Sequence, residues 1–573
     1  MIPYGISDYK RIREGNYYYI DKTRFIEHIE RQPPYLFLIR PRRFGKSLFL
    51  SMLGTYYDLS EKDNFAFLFK GTYIADNPTV GHNSYLGLNF DFSQVSAKDA
   101  GQHFERYCND VLTAFVTKYN LSVSLDHESS ISNLAKLFIH ARLQRLPFYV
   151  MIDEYDNFIN ELLVKDEGEY RRMVTGQEAV FKQFFKTLKA GTSGADAPVK
   201  KLFVTGVSPL AMYDITSGFN IGTNITTDAL FNDVLGVTRE EAAAMFDLYG
   251  LADQQEAAFA RMDEWYDGYK FNEEVGNTIY NTDMVLYYIK SLIQTNREPR
   301  ELIDINVRSD YSQIQFMVQT DRKLNGNFSV LNGLLSTGGT AVSKLKDSFS
   351  AFDIRDRDNF VSLLFYLGLV TIEKYELGLL HLKIPNQTIR KIVGEFVQKA
   401  IEGNGLLHIG LDEFNLQVRE LAFFRKLTVF GYLAQQIGEH SKIRDYISGE
   451  SFVKGFLAAY FSLNPYYEVS TEKESGKGFV DIYLHPITPD VPYPAAIELK
   501  YIKRNELTEA LLTEKTAEAV AQLQRYQLPD NAVLVVLVFH GWELVKVLDA
   551  RRYEPQTDKP NQALAVDEHP PVS

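Results

Sequence analysis

A single cysteine, Cys108, in 573 residues excludes an internal disulfide and a multi-cysteine zinc site, and it fits a reducing compartment. Cys108 itself reads as a small buried apolar residue. A basic surplus is also missing. The 61 Lys and Arg against 74 Asp and Glu leave a net charge of -13, which argues against a uniformly basic nucleic-acid coat but allows a local basic groove. Long apolar runs are lacking too: Val533 to Phe539 is the longest, far below the roughly 20 residues that span a bilayer, and it reads as a buried strand. No membrane anchor is visible. Met1 to Lys10 has no basic stretch leading into an apolar core, so no secretory signal is expected and the cytoplasm is the expected compartment. No internal repeat is found.

The composition that remains, 45% hydrophobic and 24% charged with 13% aromatic, is that of an ordinary globular protein. A chain of this length exceeds one hydrophobic core. In the first part, Tyr35 to Ile39, Tyr85 to Phe92, Phe148 to Ile152 and Lys201 to Val207 alternate with helical patterns, which predicts a parallel sheet with helices on both faces. From about Asp283 the pattern turns helical, with a hairpin-like pair at Gly368 to Glu373 and Leu379 to Ile384 and a helix from Gln387. That order suggests a winged-helix-like middle, against the alternative of a helical spacer. Helices, then strands at Tyr466 to Val469, Gly478 to Leu484, Ala495 to Tyr501 and Ala532 to Phe539, make a third α/β unit. The expected division is 1–282, 283–404 and 405–556, with a loose Pro-rich and polar tail at 557–573.

The chemistry starts at Arg40-Pro41-Arg42-Arg43-Phe44-Gly45-Lys46-Ser47. A phosphate-binding loop needs backbone amides at a helix start, an ammonium for the outer phosphates and a hydroxyl for Mg²⁺. Gly45, Lys46 and Ser47 supply these between an apolar strand and the helical run Leu48 to Leu53. The general pattern has glycine where this chain has Arg40, so the turn must be made another way, with Pro41 as a candidate. An ATPase also needs acids at the end of a neighbouring strand. Phe148 to Glu154 has that form: Asp153 suits the metal side, Glu154 the base, and Asp156 a supporting place. Thr205 and Ser208, after a third strand, are candidates for sensing the γ-phosphate, although hydroxyls at strand ends are more often turn-makers.

A second set lies far downstream. Phosphodiester cleavage with Mg²⁺ needs converging carboxylates and a cation. The period of two puts Glu498 and Lys500 on one face of their strand, and Asp481 on the opposite face from Val480 and Ile482, so neighbouring strands would bring all three groups together. Alone, Glu-x-Lys is more often an exposed strand pair.

The segments at residues 2–23, 40–53, 150–160, 203–210 and 265–271 (WYDGYKF) together resemble the AAA-ATPase-like proteins of bacteria that carry a C-terminal PD-(D/E)XK nuclease-like domain. In that family Arg at the position of Arg40 is usual. The resemblance implies ATP or GTP as ligand, ATP preferred, and names no arginine finger; Arg42, Arg43 and Arg239 are guesses. It implies that Asp481 and Glu498 hold Mg²⁺ while Lys500 assists, with Glu472, Gln522 and Glu450 in support. It also marks a departure: Phe479 stands where the family usually has Arg.

Two readings follow. One is an ATPase coupled to Mg²⁺-dependent cleavage of nucleic acid, DNA in preference to RNA, with defence or mobile-element biology as an extension from domain pairing. The other is a nucleotide-controlled switch or partner-binding module with a non-catalytic nuclease-like domain. A DNA contact near Lys383 to Lys391 and a homo-oligomer are further partner expectations.

Overall fold

The computed structural model describes residues 1–126, 129–176, 179–210, 212–213, 220–309, 326–440, 447, 449–476 and 478–553, with residues 308 and 309 described in backbone only. The tail expected at 557–573 lies outside them. Contacts divide the chain into two compact units, the first Met1–Asn404 and the second from Gly405 on.

In the first unit, β1 (Tyr35–Ile39), β2 (Leu86–Asp91), β3 (Phe148–Asp153), β4 (Val199–Gly206) and β5 (Thr223–Asn224) form a parallel sheet ordered β2-β3-β4-β1-β5. Every residue of β3 is buried, as a central strand covered on both faces requires. Helices α1 (Lys46–Tyr57), α2 (Ala100–Lys118), α3 (Ser130–Gln144), α4 (Asn157–Lys165) and α5 (Val180–Gly191) connect these strands. Phe90, Phe92, Phe104, Phe158, Phe181 and Phe184 cluster around β2, α2, α4 and α5, all buried and mostly edge to face. Truncating one of them, Phe92→Ala, would cost about 3–5 kcal/mol. Because β4 lies between β1 and β3, the loops that leave β1 and β3 flank its end, at the crevice where the order reverses.

The unit continues through α6 (Thr282–Thr295) and α7 (Asn327–Thr337) into a small module. There β6 (Gly339–Val342), α8 (Arg357–Tyr366), β7 (Thr371–Glu376), β8 (Leu379–Lys383) and α9 (Gln387–Gly403) make an antiparallel sheet ordered β6-β8-β7 with helices beside it, a winged-helix-like arrangement. The hairpin turns at Leu377 and Gly378, both left-handed, as a two-residue turn prefers. Its first strand begins at Thr371 rather than Gly368, because Gly368 is itself a left-handed turn out of α8.

The second unit opens with α10 (Leu411–Phe424), α11 (Thr428–Glu439) and α12 (Glu450–Phe461). Strands β9 (Tyr467–Ser475), β10 (Gly478–Pro486), β11 (Ala495–Ile502), β12 (Val533–His540) and β13 (Glu543–Asp549) follow in the sheet order β13-β12-β11-β10-β9. Only β11 and β12 pair in parallel, and α13 (Glu509–Arg525) makes the crossover that such a pair needs. Val480, Tyr483, Ala496, Ala519, Val520, Leu523, Val536 and Val538 close the core beneath α13.

Candidate functional sites

At the end of β1 the chain enters the left-handed region at Arg43 (φ 70°) and Gly45 (φ 93°), then starts α1 at Lys46. The loop is braced by the start of α6. Thr282 Oγ1 donates to the Phe44 carbonyl at 3.1 Å, Asn281 Nδ2 to the Arg42 carbonyl at 3.4 Å, and the Asp283 amide to the Arg43 carbonyl at 3.2 Å. The buried Phe44 ring stands edge-on to Tyr269 at 4.9 Å and to Phe271 at 5.9 Å. The aromatic run at 265–271 is therefore a support for this loop.

A cavity of 530 Å³ opens over the loop. Arg42, Arg43, Phe44, Gly45, Lys46, Ser47 and Glu154, all candidates from the sequence, line it. Pro3, Ile6, Tyr18 and Tyr19 line it too, which motif reasoning did not place there. Lys46 is buried, and its ammonium donates to the carbonyls of Arg40 (3.1 Å) and Pro41 (2.9 Å). Burial lowers its pKa, against the pull of Glu154, Asp153 and Asp156.

The other expected residues stand behind the lining. Arg40 is fully buried with its guanidinium turned away from the cavity: it lies 3.8 Å from the Phe271 ring centre and donates to the carbonyls of Thr226 and Phe231, the latter at 2.8 Å. Burial lowers it to about 9, still charged at neutral pH. Pro41 is not among the residues lining this cavity; it packs against Gly368. The Asp153 carboxylate accepts from Thr205 Oγ1 and from the Glu154 amide at 3.0 Å. Asp156 is a clamp between strand ends, accepting from the amides of Val207 (3.1 Å) and Ser208 (2.6 Å) and from Asn160 Nδ2 (2.7 Å). Ser208 Oγ caps its own turn through the Leu210 amide. Glu154 sits in the left-handed region (φ 46°), hydrogen-bonded by Asn157, and burial raises its pKa while Lys46 opposes the shift. Strained backbone of this kind concentrates at functional sites. Arg239 is engaged elsewhere, with Asp263 and over the Phe259 ring.

In the second unit, the pairing of Ile482 with Ile497 carries Asp481 to the position across from Glu498. Lys500 Nζ lies 3.0 Å from Glu498 Oε1 and 3.6 Å from Glu518 on α13. Asp481 Oδ2 accepts from the Leu499 amide at 2.9 Å. Two further side chains, outside every motif, complete the set. Lys454 of α12 puts its ammonium 2.8 Å from Asp481 Oδ1 and also bonds Glu472. The Tyr526 hydroxyl donates to the Phe479 carbonyl at 2.7 Å and lies 3.3 Å from Glu498 Oε2. Only the three-dimensional fold brings α12 and the end of α13 to these strands, so no spacing rule could have found them.

Burial and the facing charge of Asp481 push Glu498 up to about 7, against Lys500 and Tyr526. Burial works against the Lys454 ammonium, but Asp481 and Glu472 more than offset it and hold its pKa above the ordinary value. Glu450, at the start of α12, is raised by burial and by Asp481. Glu472 is left-handed (φ 51°). Gln522 lies on α13 with its buried Oε1 unpartnered, and Phe479 is exposed. Among the described residues no three acidic, His or Cys side chains converge as a ready metal cluster. The donor chemistry still suits Mg²⁺, since two facing carboxylates of hard oxygen form a repulsive pair that a divalent ion would neutralise.

Residues 3–216 match the family model described as a predicted AAA-ATPase, and residues 448–547 match that of the PD-(D/E)XK nuclease superfamily. The chain thus joins an AAA-ATPase-like domain to a PD-(D/E)XK superfamily domain. A protein of Azotobacter chroococcum mcd 1, described as an uncharacterized protein in the vnfD 5' region, is 30% identical over 298 residues, covering 50% of this chain. The chain spans about half (52%) of that relative's length. Among solved structures, Cdc6p of Pyrobaculum aerophilum is similar over 68% of this chain and 94% of its own, with 12% identity and a TM-score of 0.25. The Aeropyrum pernix ORC2 protein is similar over 61% and 86%, with 10% identity and a TM-score of 0.30. No helix among the described residues is long and apolar enough to cross a membrane.

Proposed function

We propose that the AAA-ATPase-like domain binds and hydrolyses ATP in the cavity over Arg42 to Ser47, and that this controls Mg²⁺-dependent cleavage of nucleic acid, DNA in preference to RNA, by the PD-(D/E)XK domain. The observation that carries the first half is the convergence of Lys46, Ser47 and Glu154 on one cavity from the ends of two strands. Lys46 then meets the outer phosphates, Ser47 and Asp153 serve Mg²⁺, and Glu154 orients or deprotonates the attacking water. Thr205 acts through its bond to Asp153. Asp156 and Ser208 shape the strand ends, and Arg40 and Pro41 support the loop from behind.

In the second half, Asp481 and Glu498 are the residues to hold Mg²⁺, which would supply an activated water and charge neutralisation at the phosphate. Lys500 offers its ammonium to the developing charge. Tyr526 steadies Glu498, and Glu472 and Glu450 stand in support.

The alternative, a nucleotide-controlled switch with a non-catalytic second domain, draws on one observation: the carboxylate oxygens of Asp481 and Glu498 already face Lys454, Lys500, Tyr526 and the Leu499 amide. The test is purified protein with labelled single- and double-stranded DNA and RNA, with Mg²⁺ or Mn²⁺, with and without ATP. Cleavage by wild type and not by Glu498→Ala supports the first reading; no cleavage, or equal cleavage by Glu498→Ala, overturns it. In parallel, filter binding of labelled ATP should fail for Lys46→Ala, and undiminished binding would remove the nucleotide assignment.

A further inference from the structure

Lys454 belongs to no recognised motif, but it is one of the most enclosed charges in the second unit, with 6% of its surface exposed. It reaches the carboxylate pair from α12, in the middle of a helix whose neighbouring Val453, Phe456 and Leu457 are buried, so its direction is fixed by packing. Its ammonium is 2.8 Å from Asp481 Oδ1, the oxygen left over once Oδ2 has accepted the Leu499 amide. A second bond ties it to Glu472, whose left-handed backbone aims a half-exposed carboxylate inward. Lys500 stands differently, on Glu498 and Glu518, and does not touch Asp481 through any hydrogen bond described.

We propose that Lys454 is a built-in competitor for the divalent ion: its ammonium holds the cation position at Asp481, and a metal can bind there only by displacing it toward Glu472. This rests on the reading of Asp481 and Glu498 as metal ligands. Two cations cannot share one carboxylate oxygen at contact distance without repulsion, which the enclosed site screens less than water would. Lys454 therefore sets a high threshold for metal in the protein alone. A phosphodiester in the site lowers that threshold, because its negative charge gives the displaced ammonium a second partner beside Glu472. The domain would then take up metal together with its substrate rather than before it.

The experiment is a Mn²⁺ titration of the full chain without nucleotide, reading free Mn²⁺ by electron paramagnetic resonance, so that no turnover is needed. Lys454→Gln and Lys454→Met should each bind Mn²⁺ at least about tenfold more tightly than wild type, while Lys454→Arg, which keeps the charge, should stay near wild type. Asp481→Asn should abolish the binding. Unchanged or weaker affinity in whichever of Lys454→Gln and Lys454→Met keeps the wild-type circular dichroism spectrum overturns the inference, with the metal-site reading intact if Asp481→Asn still loses binding. Binding undiminished by Asp481→Asn, or no binding by any variant, overturns both.

Discussion

Pro41 of the loop between β1 and α1 lies so close to Gly368 that a methyl group on Gly368 would come within 2.7 Å of its Cγ. Gly368 is left-handed (φ 76°) and is the turn by which α8 hands the chain to β7. The loop therefore rests on the winged-helix-like module, within one compact unit. Gly368→Ala is expected to destabilise this unit by about 2 kcal/mol or more and to weaken ATP binding with it, since both strain and overlap are added. Denaturant unfolding and an ATP titration of the same preparation check both halves; an ATP affinity that is unchanged despite the lost stability would show that the contact does not reach the nucleotide.

Arg40 is expected to be a structural residue rather than a nucleotide ligand. Arg40→Met strands the buried carbonyls of Thr226 and Phe231 and removes the stack on Phe271, a loss of about 3 kcal/mol or more. Arg40→Lys should not restore it, because an ammonium lacks the planar fork and the flat face. Urea unfolding of the two variants measures this, and stability recovered by lysine would refute the role.

Asp156→Asn exchanges a pure acceptor for a group that is half donor, opposite the two amides of Val207 and Ser208. The strand ends beside Asp153 and Thr205 should loosen. The expected result is a fall of about tenfold or more in the kcat for ATP with KM nearly constant, the pattern of an interaction that matters beyond binding. A rise in KM alone would argue against it.

Glu498 carries the clearest pH dependence. Its pKa in the fold is about 7 against an ordinary 4.5, so the folded state binds the proton more tightly than the unfolded chain does. The stabilisation from the neutral acid is complete below 4.5 and is lost as pH rises through about 7. Relative to wild type, Glu498→Gln should thus gain hydrogen-exchange protection along β11 on going from pH 5 to pH 8. Mn²⁺ affinity of the wild type should rise over the same window, as the proton leaves.

The parts legible in the sequence were those in which burial or chemistry imposes a local pattern. β3 is buried on both faces, so its apolar run ending in Asp153 and Glu154 could be read directly, as could the Glu498-x-Lys500 alternation in β11. β13 escaped notice because an edge strand with mixed exposure carries no continuous apolar run, and β6 because it is only Gly339–Val342. Among candidate site residues, Lys46, Ser47 and Glu154 lie on the cavity, while Arg40 shows why a motif position is not a side-chain direction. Tyr18, Lys454 and Tyr526 reach their sites from elements distant in the chain, and distance in the chain is what a motif cannot measure.

The aromatic segment at 265–271 has a consequence for how this protein can change over evolutionary time. Tyr269 presses on Phe44, while its chain neighbour Gly268, left-handed at φ 94°, lies so close to the Pro385 carbonyl that a methyl group there would sit 2.3 Å from the oxygen. Asn386 Nδ2 donates to the Asp267 carbonyl at 2.7 Å, and Thr388 Oγ1 to that of Trp265 at 2.7 Å. Adjacent residues are thus riveted to two different bodies of structure, and neither the segment's length nor its glycine can drift alone. The loop between β1 and α1 and the winged-helix-like module must be inherited as a matched pair; a recombination joint placed between them would leave each half fitted to a surface the other no longer provides.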